Sequence, residues 1–115
     1  MNTMKIKTSE MTGAALDWAV AKCEGWKVSV AEFRKSQLSS SKFAYSSVWA
    51  KGGPIIERER ISVVSDFHEI EESWLAESYQ GNIQQFGSTP LIAAMRCYVM
   101  SRFGDEIEIP QELFE

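Results

Sequence analysis

An arginine set in an apolar run is the first residue in this chain whose type demands an explanation. Arg96 lies within Leu91-Ile92-Ala93-Ala94-Met95-Arg96-Cys97-Tyr98-Val99-Met100, and a guanidinium among such neighbours is tolerated only if paired, hydrogen-bonded or able to reach water. One resolution is a salt bridge or carbonyl contacts, with Glu57 or Glu59 as the acids. The other is an anion site, because the planar fork grips phosphate or carboxylate through two parallel bonds. The segment Tyr45-Ser46-Ser47-Val48-Trp49-Ala50-Lys51-Gly52-Gly53-Pro54 adds aromatics for stacking, a lysine, and glycines whose backbone another group can approach closely. Adjacent glycines lack the spacing of a phosphate-binding or dinucleotide loop, so a tight turn packed by Trp49 stands open beside a pocket.

Catalytic chemistry has little to draw on. The single histidine, His68, sits in an acidic stretch with Asp66, Glu69, Glu71 and Glu72 and reads as an exposed residue before a general base. Glu57 and Glu59 alternate with Arg58 and Arg60, the pattern of a charge-balanced surface. Cys23 and Cys97 have no CxxC spacing or neighbouring histidine, which argues for reduced core thiols and against a metal or redox pair. No cofactor or metal is implied.

Elements able to position these groups follow from periodicity. Residues 8–25 carry Ala15, Leu16, Ala19, Val20 and Cys23 at helical spacing, with Thr8 or Ser9 as a cap, Gly25 as a stop, and Asp17 and Glu24 on a solvated arc. Trp26, Val28 and Val30 alternate as a short strand, and the serine-rich residues 31–47 read as a mobile loop. Pro54 is expected to open a short helix through Arg60. Residues 61–64 and 74–79 read as two strands of a loose hairpin, with a helix from Phe67 onward as its rival. Ser88-Thr89-Pro90 supplies a cap and an early proline for a core helix over 91–103 that Gly104 ends. Residues 106–109 alternate as an edge strand before Pro110.

The chain has 115 residues, 44% hydrophobic and 24% charged, the range of one globular domain spanning 1–115. Residues 1–63 carry ten Lys or Arg against six acids, and residues 64–115 carry two against ten. The two halves attract one another, and the first could offer a weak basic patch. No apolar run approaches a membrane span, and the start lacks a secretory apolar stretch, so the cytoplasm is the expected compartment.

Three blocks, KTSEMTGAALDWAVAKCEG, YSSVWAKGGPIIERERI and GSTPLIAAMRCYVMSRFGDEIEIP, resemble in that order the NinX-like phage protein family. The matching positions are Tyr45, Trp49, Gly52, Gly53, Pro54, Glu57, Thr89, Pro90 and Arg96. The resemblance implies a phage or prophage origin and a bacterial host cell; it implies no biochemical role. Residues 26–44 and 65–87 fall outside the blocks.

The expected architecture is α+β, with two main helices packed on a small, mostly antiparallel sheet and a Gly52-Gly53-Pro54 turn near Arg96. The expected function is that of a non-enzymatic accessory protein binding a small anion, a nucleotide being one candidate, through Tyr45, Trp49, Lys51, Gly52, Gly53, Pro54, Glu57 and Arg96. The alternatives are a modulator or inhibitor of a host protein, and a weak nucleic-acid binder using Lys35, Lys42 and Lys51.

Overall fold

Four helices and two antiparallel sheets make up the structure, a computed structural model that describes residues 2–65 and 73–114. The α+β class is as expected, but the elements outnumber the two helices and single sheet read from the sequence. In chain order they are β1 (Thr3–Lys7), α1 (Gly13–Cys23), α2 (Val30–Ser39), α3 (Trp49–Glu59), β2 (Ser62–Ser65), β3 (Trp74–Glu77), β4 (Gln84–Gly87), α4 (Pro90–Phe103) and β5 (Glu106–Pro110). The acidic stretch with His68, and the rival helix from Phe67, lie outside the described residues.

Helix α4 is the axis. Thr89 caps it by accepting from the Ile92 N–H at 3.1 Å, Pro90 stands in its first turn, and Gly104 ends it at φ +85°. It is apolar nearly all round because it is surrounded: it packs on β2, β3 and β4 and against α1 and α3. Leu91, Ala93, Ala94, Met95, Cys97, Tyr98 and Val99 are all buried. The hairpin is present, with β2 and β3 antiparallel and Val63 opposite Ala76. β4 extends this sheet beside β3, and β1 pairs with β5 to join the two ends of the chain.

Several expectations give way to tertiary contacts. The first helix begins at Gly13, because Thr8–Glu10 forms a separate 3-10 turn. The Thr8 hydroxyl donates to the Gly104 carbonyl at 2.7 Å and caps nothing. Residues 26–30 form no strand, and 31–47 are no open loop: Ser29 accepts from the Glu32 N–H at 3.1 Å and starts α2. Phe33 anchors that helix, edge-on to Trp18 with centroids 5.2 Å apart and against Phe43 at 5.3 Å. Ser29-Val30-Ala31-Glu32 is a capping box, the signal that the apolar alternation over Trp26, Val28 and Val30 masked.

Gly87 on β4 lies where strand and helix backbones meet. A Cβ there would stand 2.5 Å from the Ala93 N and 2.9 Å from its Cα, and backbone cannot step aside as a flexible side chain can. Gly87→Ala is therefore expected to lower stability by about 3 kcal/mol, the upper part of the usual overpacking range. Urea unfolding reads this as a drop in midpoint at unchanged slope.

Candidate functional site

The residues singled out from the sequence are placed on different parts of α3 and α4. Gly52-Gly53-Pro54 is helix, inside α3, and forms no turn. A Cβ on Gly52 would strike the Tyr45 carbonyl oxygen and the Leu91 side chain, so the close approach that glycine permits is made by the chain itself. Tyr45 is buried and its hydroxyl accepts from the Trp26 indole N–H at 3.1 Å. Trp49 is 55% exposed and lines a shallow groove with Ser46, Ser47, Thr89, Pro90, Leu91 and Ile92. Lys51 is half-buried, and Pro54 and Glu57 are exposed. Arg96, 2% exposed, donates from Nε to the Met11 carbonyl and from Nη1 to the Phe86 carbonyl, both at 2.8 Å. Leu91 and Arg96, five residues apart, lie about 140° apart around α4, so the glycine pair and the guanidinium belong to different faces of that helix.

A better-formed site lies where the C-terminal ends of α3 and α4 meet the β3–β4 turn. A cleft of about 520 Å³ there is lined by Arg58, Arg60, Arg102, Glu59, Tyr79 and Tyr98 among others. Cations at helix C-terminal ends sit favourably in the helix dipoles. Tyr98 and Arg102 share a face of α4 by their four-residue spacing. On the opposite wall, Gly81 at φ +76° closes the turn that carries Tyr79, and Ser78 Oγ accepts from the Ile83 N–H at 3.2 Å while donating to Asn82 Oδ1 at 2.9 Å.

An ionic network fixes one end of the cleft. Arg58 grips Glu24 of α1 with two bonds, of 3.2 and 2.7 Å, and its Nε donates to Glu59 at 2.9 Å. The Tyr98 hydroxyl donates to Glu24 at 2.5 Å. Arg102 reaches Glu59 at 3.1 Å, and the Arg58 and Arg102 guanidiniums lie 5.6 and 5.1 Å from the Tyr98 ring centre. Burial alone would push the Glu24 carboxyl up, but the bonds from Arg58 and Tyr98 and the nearby guanidinium charges hold it below the usual carboxylate range. Glu24 is thus a pinned anion and not the solvated side chain read from the sequence. Burial, then contact with Glu24, pushes the Tyr98 hydroxyl up to about 12, and burial pushes the Cys97 thiol up to about 11. Both stay protonated at neutral pH.

Arg60 stands apart. It has no carboxylate partner among the described residues, and its guanidinium lies 5.2 Å from the centre of the Tyr79 ring. It is also the one non-glycine residue described with positive φ, at φ 53° and ψ 45° just past α3. That region costs an L-residue about 1–2 kcal/mol. Such costs persist where the surroundings impose them, and they cluster at binding sites. With three arginines against Glu59 and the Glu24 that grips Arg58, the site carries an excess of one positive charge. In sequence, the alternation of Arg58 and Arg60 with Glu57 and Glu59 reads as a charge-balanced surface.

Asp17 departs furthest from its expected solvation. It is 7% exposed, accepts from the Ser46 N–H at 2.8 Å, and burial pushes its carboxyl up to about 6 against the lowering effect of Ser46. The folded state therefore holds this proton more tightly than the unfolded chain, whose value is about 4. The resulting stabilisation is complete below pH 4 and disappears as pH rises from about 4 to about 6, in total about 3 kcal/mol. Asn at this position keeps an acceptor for Ser46 without the charge. Asp17→Asn should then gain about 2–3 kcal/mol over the parent at pH 7.5 and nothing at pH 3.5. Paired urea titrations at the two pH values measure the difference.

Among the described residues no group of three or more His, Cys, Asp or Glu is placed to hold a metal ion, and no helix is long and apolar enough to cross a membrane. The sequence model of a family described as "Bacteriophage P22, NinX" matches residues 7–102, which include every residue of the arginine-lined cleft. No curated protein sequence matches the chain.

Proposed function

Starting from the fact that the chain belongs to the phage P22 NinX family, we propose that it is a phage accessory protein that binds a small anionic ligand in the arginine-lined cleft between α3, α4 and the β3–β4 turn. Arg60 carries the reading. A cation without a carboxylate partner among the described residues, held in a costly backbone conformation at the edge of a cleft with one surplus positive charge, is built to meet a negative charge from outside. Arg102, bonded to Glu59, lines the same cleft. The protonated thiol and phenol favour binding over nucleophilic catalysis at this place.

The rival readings have less behind them. Lys42 lies over the Trp26 ring at 4.5 Å, and neither it nor Lys35 or Lys51 lines the cleft. Trp49 offers an aromatic anchor to a host protein, but its groove measures only about 290 Å³.

Thermal unfolding tests the proposal. Ribose 5-phosphate should raise the melting temperature in a concentration-dependent way, as any ligand of the folded state does. Ribose, or sodium chloride at matched ionic strength, should leave it unchanged. Equal shifts with all three would remove the support for a specific anion site.

A further inference from the structure

We infer that the ligand of this cleft is a nucleoside monophosphate, its phosphate taken by Arg60 and Arg102 and its base laid against Tyr79; the inference rests on the anion-site reading. Charge sets the phosphate count. Three arginines stand against Glu59 and the Glu24 that grips Arg58, an excess of one positive charge, which a single phosphate monoester, with a charge of about −2 at neutral pH, already satisfies. A second or third phosphate would carry uncompensated charge into a cleft whose Arg58 is already held by Glu24 and Glu59.

Size and lining set the rest. The volume of about 520 Å³ falls in the range of organic-ligand sites and far exceeds what a bare phosphate fills. Tyr79 is 68% exposed, unusual for a tyrosine over a cleft, and presents a ring on which a base can stack. Beside it the Ser78 hydroxyl donates to Asn82 Oδ1, and Asn82 and Gln80 place two amides in the lining. Amides give both donors and acceptors, the groups that read the polar edge of a base. Stacking is tolerant of base identity, so the structure assigns the class and not one base.

Calorimetric titration separates the inference from the reading beneath it. The probes are the four common ribonucleoside monophosphates, ribose 5-phosphate, adenosine, and a short 5′-phosphorylated single strand. At least one monophosphate should bind about tenfold or more tightly than ribose 5-phosphate and than adenosine, as stacking of one base implies. Tyr79→Ala should erase that advantage while leaving ribose 5-phosphate unaffected, and Tyr79→Phe should retain it. If ribose 5-phosphate matches every monophosphate, the base plays no part and the inference fails while the anion site stands. If no phosphate compound binds, both fail. Binding of the strand about tenfold tighter than the best monophosphate would overturn the inference in favour of a nucleic-acid end.

Discussion

Replacing Arg96 with methionine is expected to cost about 3–5 kcal/mol, a large part of the stability of a small domain. The side chain is 2% exposed and ties the segment before α1 to β4 across α4, through the Met11 and Phe86 carbonyls. Methionine fills much of the volume and adapts to irregular space, so the loss is chiefly one of hydrogen bonding. Each acceptor deprived of its donor costs about 1–3 kcal/mol. Lysine should recover less than half of it, because a compact ammonium cannot reproduce the guanidinium fork. Urea unfolding of Arg96→Met and Arg96→Lys gives the ranking. A methionine variant as stable as the parent but defective in ligand binding would instead restore the anion-site role that the sequence suggested for Arg96.

At Arg60 the expectation is the reverse: binding lost without loss of stability. Arg60→Gly removes the guanidinium over Tyr79 and relieves the left-handed conformation at φ 53°. Relief of about 1–2 kcal/mol is offset in part by the greater freedom of glycine in the unfolded chain, leaving stability unchanged or higher by up to about 1 kcal/mol. A charge-assisted hydrogen bond to a ligand is worth about 1.5–3 kcal/mol, so affinity for a phosphate ester should fall about 10- to 100-fold. A residue whose removal stabilises the fold and abolishes binding is one that the fold holds at a cost for function. If Arg60→Gly both destabilises the protein and leaves binding intact, Arg60 is a structural residue.

Strong local signals were readable without coordinates. Thr89, Pro90 and Gly104 bracket α4, alternation marks β5, and two apolar runs give the β2–β3 hairpin. β1 was not readable, because a five-residue strand becomes one only by pairing with β5 at the far end of the chain. β4 hides behind polar residues: Gln85 and Gly87 are its buried side, Gln84 and Phe86 its exposed one. α2 was legible in Ser29 and Glu32, but the neighbouring alternation and serine content pointed the other way.

The site was less legible for a related reason. Arg96 draws attention because its neighbours are apolar, yet two backbone carbonyls brought in by tertiary folding are among its partners. Arg58 and Arg60, spaced as surface charge, meet Arg102 and Tyr79 only once α3, α4 and the β3–β4 turn converge. One local clue was present. The helical run into Glu59 stops at Arg60 with no glycine or asparagine to take the left-handed residue that ends many helices, a conflict of the kind that marks functional positions.

Calorimetric titration of ribose 5-phosphate into the parent protein and Arg60→Gly, each first shown to be folded by its urea transition, tests the anion site most directly. Saturable binding to the parent with one site per chain, reduced about tenfold or more in the variant, is the predicted result. Equal affinity in the two proteins, or none in the parent, would contradict it.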